Sequence, residues 1–195
     1  MGRKNVVASL LLGAMVGVLF WGISKNLGIA LPYLWTAPLL FPVLAFIGTW
    51  VAFFSGKRIP VLFQAAKFLE VGALNTFVDL GVLNLLLFLF QMSSGLAFSL
   101  FKGISFAVAV LNSYFWNKHW TFKTKEENTR KEFTQFLLVS ITGFLVNVGV
   151  ASVVVNLIGP QFEISQTLWA NIGALIATVA AMTWNFLGYK LIVFR

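Results

Sequence analysis

Long apolar runs alternate with short polar connections along the whole 195-residue chain. Six of these runs approach the ~20 residues that an α-helix needs to cross a ~30 Å hydrocarbon core. They lie at about 6–24, 34–54, 66–90, 99–117, 134–158 and 167–189. Glycine and proline mark several of the connections, as at Gly28, Pro60, Gly95 and Pro160. The pattern predicts six transmembrane helices with short links between them.

The composition places the chain among integral membrane proteins. Hydrophobic residues make up 59% and charged residues 10% of it, and the mean hydropathy is +0.88. A soluble domain carries about 25% charged residues. The predicted fold class is therefore an all-α integral membrane protein. Cysteine is absent and His119 is the single histidine, so cysteine chemistry is excluded and we expect neither a metal centre nor another cofactor.

The distribution of lysine and arginine predicts how the helices are oriented. Twelve of the fourteen basic residues fall on one set of connections and termini, and only Lys25 and Lys102 fall on the other. Because positive loops are retained in the cytoplasm, both termini are predicted to be cytoplasmic. The net charge of +8 lies beside the spans, which indicates contact with anionic lipids and does not indicate binding to nucleic acid.

The first span admits two alternatives. Arg3 and Lys4 followed by an apolar run resemble the start of a signal peptide. The run is longer than the usual signal core and no Ala-x-Ala-like site follows it, which favours a retained helix. The same span contains Gly13-x-x-x-Gly17, a spacing that lets helices approach closely, and internal packing is favoured over dimerisation.

An internal repeat organises the chain from residue 63 onwards. A shift of 68 places Asp79-Leu-Gly-Val on Asn147-Val-Gly-Val, and Trp116-Asn117 on Trp184-Asn185. Four further residues bring Lys118 onto Lys190, about one helical turn of insertion. The predicted organisation is a two-helix extension at 1–62 and a four-helix core at 63–195. That core comprises two parallel helical hairpins, at 63–122 and 133–195.

Each repeat helix carries one stripe of small and polar residues at helical spacing. In the order of the third to the sixth span, the stripes contain Gly72, Asn75, Thr76 and Asp79; Lys102, Ser105, Ala109, Asn112, Ser113 and Trp116; Ser140, Gly143 and Asn147; and Asn171, Ala174, Thr178 and Asn185. Because polar groups facing lipid are penalised, we expect the stripes to converge on an interior seam. For the uncharged members Ser105, Ser113, Ser140 and Thr178, ordinary helix packing is favoured over a role in transport.

Asp79 differs from the other members of its stripe. It lies about thirteen residues into its span, so ~20 Å from the membrane surface at 1.5 Å per residue, where the side chain cannot reach water. A function is therefore favoured over a structural role. Glu70 and Lys67 lie in the first turns of that span, where an i,i+3 surface pair is as good an explanation as a functional one. Trp120 is interpreted as an interfacial anchor.

No Walker loop, dinucleotide fingerprint, HExxH motif or nucleophile elbow occurs in the chain, so an enzyme is not expected. A set of short motifs resembles the GtrA-like family. These are Phe68-x-x-Val71-Gly72-x-x-Asn75-Thr76-x-Val78-Asp79, Asn117-Lys118-His119-Trp120-Thr121-Phe122 and Tyr189-Lys190-Leu-Ile-Val193-Phe194. The resemblance covers about residues 63–195, and the first ~60 residues depart from the usual four-span pattern.

The resemblance implies a prokaryotic plasma-membrane protein of cell-surface polysaccharide synthesis. Its implied function is a flippase that moves a polyprenyl-phosphate-linked sugar from the cytoplasmic to the outer leaflet. Two alternatives stay open: a non-transporting adaptor for a membrane glycosyltransferase, and a small-solute or proton-coupled exporter. A glycosyltransferase is the implied protein partner, and homo-oligomerisation stays open.

The resemblance and the polar stripes together assign candidate substrate-binding residues. Lys67, Lys118 and Lys131 would capture the phosphate on the cytoplasmic side, with Glu70 and Asn117 beside them. Asn75, Asp79 and Asn112 would hydrogen-bond the sugar, and Lys102 would receive the phosphate outside. No residue is assigned a catalytic or metal-binding role.

Overall fold

The computed structural model describes residues 1–26, 28–91, 95–123, 129–161 and 166–194, and in these ranges every regular element is helical. Six α-helices follow one another: α1 (Arg3–Asn26), α2 (Ala37–Ser55), α3 (Pro60–Phe90), α4 (Gly95–Trp116), α5 (Thr129–Ser152) and α6 (Gln166–Gly188). A 3₁₀ turn at Leu34–Thr36 precedes α2, and π-helical segments lie at Asn117–Phe122, Val153–Ile158 and Tyr189–Val193. The all-α fold with six helices is confirmed.

Local sequence explains where several helices begin and end. Pro60 opens α3, at a position where the missing N–H costs no helical hydrogen bond. This places the start of α3 before the apolar run that predicted it, at about residue 66. Gln91 ends α3 in the left-handed conformation at φ 53°, and Gly28 adopts φ +67° after α1. Glycine adopts this conformation at no steric cost.

Three of the helices are long and apolar enough to cross a membrane by themselves. Their bounds, with the 3₁₀ turn counted into the second, are Arg3–Asn26, Leu34–Ser55 and Pro60–Phe90. An 18-residue stretch within each has a mean hydropathy of 2.3, 2.0 and 1.9, respectively. Many large apolar side chains on them point outward, for example Leu39 at 69% and Phe88 at 60% exposure. Such surfaces are normal against lipid and unfavourable in water. The chain is therefore a multi-pass membrane protein.

The described residues form two compact units, Met1–Lys123 and Thr124–Arg195. The first unit contains α1 to α4 and the π-helical segment after α4, and the second contains α5 and α6. The core of the first unit is formed by Ala8, Leu12, Val16, Val71, Leu74 and Trp120. Residues of α1 thus share one core with α3. The division into an extension at 1–62 and a domain at 63–195 stays a prediction.

The second unit is held by a contact between α5 and the end of α6. The rings of Phe136 and Tyr189 stack with centroids 4.4 Å apart, and the hydroxyl groups of Ser140 and Tyr189 lie 2.7 Å apart. Gly143 faces Asn185 so closely that a Cβ there would lie 2.1 Å from the amide Oδ1. Two residues of the α5 stripe therefore make these contacts: Ser140 meets Tyr189, directly after the end of α6, and Gly143 meets Asn185 of α6.

The two hairpins end in the same way. The π-helical segment of the first hairpin begins directly after Trp116, and the segment that ends the second hairpin begins at Tyr189, four residues after Asn185. The shift between the repeats changes from 68 to 72 at this point. The extra turn of the second repeat is therefore inserted between the Trp-Asn pair and the π-helical segment. Because π-helical turns are rare and recur at functional sites, their presence at both ends supports the repeat.

Gly13 and Gly17 allow the close contact of α1 with α2. A Cβ at Gly13 would lie 2.6 Å from the Phe41 carbonyl oxygen, and one at Gly17 would lie 2.4 Å from the Ala37 carbonyl oxygen. Both neighbours are backbone atoms, which cannot rotate away. The prediction that this glycine spacing serves internal packing is confirmed, since both glycines face a helix of the same chain.

Replacing Gly17 by alanine is expected to destabilise the first unit by about 1–3 kcal/mol, because the added methyl group overpacks a backbone contact. The measurement is the apparent melting temperature of the detergent-solubilised protein. Gly48→Ala is the matched control, since a Cβ at Gly48 on α2 has no atom within 4 Å. Equal melting temperatures for the two variants would contradict the packing role.

Candidate functional site: a polar seam between α3 and α4

Asp79 lies on α3 and is paired with a buried serine of α4. The Ser105 hydroxyl donates a hydrogen bond of 2.6 Å to Asp79 Oδ1. Ser105 is fully buried, at 0% exposure. A carboxylate within a membrane span is costly unless a donor or water faces it. The predicted stripes of α3 and α4 therefore meet at the residue that carries the charge.

A second polar pair lies one turn away on α3. The Asn112 side-chain amide donates to Asn75 Oδ1 over 2.6 Å. The two pairs follow the antiparallel direction of the helices, because Asn75 precedes Asp79 while Asn112 follows Ser105. We refer to Asn75, Asp79, Ser105 and Asn112 as the polar seam. Hydrogen bonds between membrane helices contribute only ~0.6 kcal/mol on average, so such pairs can exchange partners at low cost.

Thr76 does not belong to the polar seam. Its side chain is exposed and its hydroxyl donates to the Gly72 carbonyl of the same helix at 3.1 Å. The prediction that placed Thr76 on the shared stripe is wrong in this respect. A threonine can satisfy its hydroxyl against its own helix, so it need not turn towards a neighbouring helix.

Asn117 and Lys118 lie at the start of the π-helical segment that follows α4. Asn117 is fully buried, and its amide donates to the Ser113 carbonyl at 2.9 Å and to the Ser113 hydroxyl at 3.2 Å. Lys118 Nζ donates to the Tyr114 hydroxyl at 3.3 Å and lies 5.5 Å from the centre of that ring. Both predicted binding residues are thus held by partners one turn earlier.

Lys67 is buried, at 4% exposure. Its ammonium group donates to the Trp120 carbonyl oxygen at 3.3 Å. It also lies 4.5 Å from the centre of the Phe63 ring and 5.6 Å from that of Trp120. A desolvated ammonium facing aromatic rings gains up to about 2 kcal/mol from each good contact. Lys67 and Glu70 therefore do not form the simple surface pair that their spacing permits.

Trp120 is a core residue. Its side chain is 4% exposed, and its indole N–H donates to Asn5 Oδ1 of α1 at 3.2 Å. An interfacial anchor keeps its ring among lipid headgroups, so the interpretation of Trp120 as such an anchor is wrong. The residue instead joins the end of α4 to α1.

Glu70 contacts the two helices of the N-terminal extension. The Thr49 hydroxyl of α2 donates to Glu70 Oε1, and the Ser9 hydroxyl of α1 lies 2.8 Å from Thr49 Oγ1. Ser9 and Thr49 are both fully buried, at 0% exposure. Within the described part of the chain, Glu70 Oε2 is buried and has no hydrogen-bond partner. We refer to Ser9, Thr49 and Glu70 as the three-helix cluster.

The two remaining predicted binding residues are Lys102 and Lys131. The Lys102 side chain lies outside the described residues. Lys131 is exposed at the start of α5, in the second compact unit. On α6, the side chains of Asn171, Ala174 and Thr178 also lie outside the described residues. The convergence of all four stripes on one seam therefore stays a prediction, and so do the binding roles of the nine candidate residues.

Sequence reasoning missed three polar residues, Asn5, Ser9 and Thr49. Asn5 follows Arg3 and Lys4 directly before the first predicted span. Ser9 and Thr49 are isolated polar residues in otherwise apolar spans, and such residues usually find a partner inside the protein. This signal was present, but it did not indicate which helix supplies the partner. Across the described ranges of the chain, no group of three or more His, Asp or Glu side chains could hold a metal ion.

Residues 67–194 match the family model described as the GtrA/DPMS transmembrane domain. The chain belongs to this family. All nine candidate residues fall within the matched GtrA/DPMS region, whereas α1, α2 and the first residues of α3 precede it. The three-helix cluster therefore connects the GtrA/DPMS domain, through Glu70, to two helices outside it.

A curated relative has a similar membrane character. The protein named uncharacterized membrane protein YngA, from Bacillus subtilis (strain 168), is 30% identical over 128 residues. These residues cover 66% of this chain and 77% of the relative. No solved structure matches the chain. The comparisons thus assign the GtrA/DPMS family and a multi-pass membrane protein.

Replacing Thr49 by valine is expected to destabilise the protein by about 1–3 kcal/mol, because it removes the donor to the Glu70 carboxylate in a buried site. The measurement is the apparent melting temperature in detergent. Thr183→Val is the matched control, since Thr183 is exposed and its hydroxyl donates within its own helix, to the Val179 carbonyl at 2.8 Å. If the two substitutions lower the melting temperature equally, Thr49 is not a specific link between the helices.

Proposed function

We propose that this protein is a flippase for a polyprenyl-phosphate-linked sugar, which it moves from the cytoplasmic to the outer leaflet. The observation that carries the proposal is the polar seam between two helices of a membrane domain. The GtrA/DPMS family membership supports it, as does the resemblance of the motifs to proteins of surface polysaccharide synthesis. On this proposal the protein acts without forming or breaking a covalent bond.

The lipid bilayer sets the problem that the polar seam would solve. The hydrocarbon chain of a lipid-linked sugar can stay in the membrane, but its phosphate and hydroxyl groups lose their water when they cross. Each unpaired polar group costs several kcal/mol in hydrocarbon. A column of hydrogen-bonding side chains at that depth lowers the barrier, because the hydroxyl groups exchange water for Asn75, Asp79 and Asn112.

The carboxylate and amides suit a sugar better than they suit a bare ion. Asp79 accepts from a donor such as a hydroxyl group, as it does here from Ser105. Asn75 and Asn112 each offer both a donor and an acceptor. A sugar hydroxyl also donates and accepts, so it can take the place of either partner in each pair. The mutual pairs close the seam when no substrate is bound.

The positive residues supply the ends of the path. Twelve of fourteen basic residues lie on one predicted side, which supports cytoplasmic termini in the plasma membrane of a prokaryote. On that side the exposed Lys131 would meet the phosphate first, and Lys118 would bind it after leaving the Tyr114 hydroxyl. Lys67 would have to leave the Trp120 carbonyl to do the same. Lys102 would receive the phosphate on the opposite side.

The direction of transport follows from supply and consumption. The sequence contains no Walker motif for nucleoside triphosphate hydrolysis. A glycosyltransferase that consumes the lipid-linked sugar in the outer leaflet would pull the equilibrium outward by mass action. A cytoplasmic glycosyltransferase would load the carrier lipid. Such an enzyme is the protein partner that the proposal implies.

The test is flipping of a lipid-linked sugar in liposomes that contain the purified protein. Asp79→Asn is expected to slow flipping about tenfold, because a lost hydrogen bond to a charged group is worth about 1.5–3 kcal/mol. The measurement is the fraction of sugar accessible to an impermeant reagent over time. Glu126→Gln, in the polar interval between the hairpins, is the control and should flip at the parent rate.

Two results would contradict the proposal. Flipping no faster than in empty liposomes would favour the adaptor role, in which the chain holds a glycosyltransferase at the membrane. Flux of a small solute without movement of the lipid would favour an exporter. Flipping by Asp79→Asn at the parent rate would agree with a flippase function but contradict the polar seam as the path of the sugar.

A further inference from the structure

One face of α1 borders three open cavities that follow one another along nearly the whole helix. At the start of α1, Arg3, Lys4 and Leu11 line a cavity of about 500 Å³ together with Trp116 at the end of α4. Further along, α1 and α3 line an open cavity of about 520 Å³ from Ala14 onwards. It continues into one of about 340 Å³ that reaches Asn26. Each is as large as a typical small-ligand pocket.

The cavities follow one stripe of α1. The α1 residues that line them recur every three or four positions: Arg3, Val7, Leu11, Ala14, Val18, Gly22 and Asn26. The stripe covers 23 steps of 1.5 Å, or ~35 Å, and so spans a ~30 Å hydrocarbon core. We call the three cavities together the α1 groove.

The chemistry of the α1 groove changes along its length. Its middle is almost entirely apolar, with walls from α1 and from Val78, Val82 and Leu85 of α3. Its first end carries two exposed cations, Arg3 and Lys4. Its other end carries the amides Asn26 and Asn84. The two cations at one end and the apolar middle match a molecule with an anionic headgroup and one long hydrocarbon chain. A flat lipid-facing surface would not show this pattern.

The walls of the groove are fixed by contacts already described. Trp116 packs edge-on against Trp120 with ring centres 6.3 Å apart, and Trp120 donates to Asn5 beside the two cations. Gly81 keeps the middle narrow, because a Cβ there would lie 3.0 Å from Leu19 Cδ2. The walls of the groove are therefore side chains of packed helices.

We propose that the α1 groove binds the hydrocarbon chain of a single-chain isoprenoid phosphate, with its phosphate on Arg3 and Lys4. This inference rests on the proposed function and assigns the carrier lipid a site between α1, which lies outside the GtrA/DPMS region, and residues of that region. α3 contributes to both sites. Val78 and Val82 line the α1 groove, whereas Asp79 lies in the polar seam, so the phosphate would leave Arg3 and Lys4 before the sugar reaches the seam.

The test uses an isoprenoid phosphate that carries a photoactivatable diazirine in its chain, with the full-length protein in liposomes. Irradiation and peptide mass spectrometry are expected to place the label on α1 and on Val78 to Leu85. Gly22→Leu should reduce this labelling several-fold, because Gly22 lines the groove and its added Cβ has open space. Gly48→Leu, equally unobstructed on α2, should label like the parent.

The headgroup end is tested separately. Exchanging both Arg3 and Lys4 for glutamine should weaken labelling about tenfold or more, because each cation near an anionic lipid contributes substantially to its binding. The paired control exchanges Lys57 and Arg58 for glutamine, which removes the same charge from the same predicted side of the membrane. Those two residues are exposed and do not line the groove.

Three results would overturn the inference. The first is equal labelling of the groove by phosphatidylcholine with the same diazirine, which indicates bulk lipid only. The second is equal labelling by phosphatidylglycerol, which indicates any anionic lipid. The third is parent-like labelling of Gly22→Leu. Failure of the proposed function gives a different result. Selective labelling without flipping would support lipid binding in the α1 groove and contradict the flippase function. Flipping without labelling would support the flippase function and contradict lipid binding in the groove.

Discussion

The buried contact between Lys67 and Trp120 holds the first half of the molecule together. One residue, Trp120, accepts from α3 through its carbonyl oxygen and donates to α1 through its indole. Its ring also fills the core shared by α1 and α3. A free ammonium group and a free indole N–H would each be costly away from water. Neither cost arises while α1, α3 and the end of α4 stay in place, so the three elements are tied to one arrangement.

The cost of an unpaired buried polar group also explains why the two N-terminal helices form one compact unit with α3 and α4, the first two helices of the GtrA/DPMS domain. Apolar contacts alone distinguish poorly between helices in lipid, since lipid tails are as apolar as leucine. Polar pairs and glycine contacts supply the specificity. Thr49 reaches Glu70, Asn5 reaches Trp120, and Gly13 and Gly17 bring α1 against α2. Each contact joins helices that the chain separates by at least one connection.

The helices could be predicted from the sequence because their signal is local. Apolar runs and the ~20-residue length of a span located all six within several residues, and the largest difference arose at α3, where Pro60 starts the helix early. The stripes also predicted that Asp79 and Asn75 face the interior of the helix bundle, and the structure places them against α4. Helical spacing fixes a face of one helix, and it does not fix the register against another. The partners Ser105 and Asn112 therefore followed only from the packed structure.

The amphipathic side chains of Lys67 and Trp120 were misplaced by reasoning from the sequence. Lysine and tryptophan near a helix end are typical of a membrane interface, and nothing local distinguishes that position from a buried one. The decisive partner of Lys67 is a backbone carbonyl 53 residues away. Glu70 is similar, since its partner Thr49 belongs to the preceding helix and Ser9 to the first.

The three-helix cluster has a consequence for how this domain varies between proteins. Glu70 lies inside the GtrA/DPMS region, but its hydroxyl partners lie outside it. A homologue that lacks the two preceding helices would expose the carboxylate to lipid. Natural selection should therefore replace the acid by an uncharged residue in four-helix members and retain it where Thr49 and Ser9 have counterparts. The presence of an acid at this position would then distinguish the family members that acquired the two N-terminal helices from those that did not.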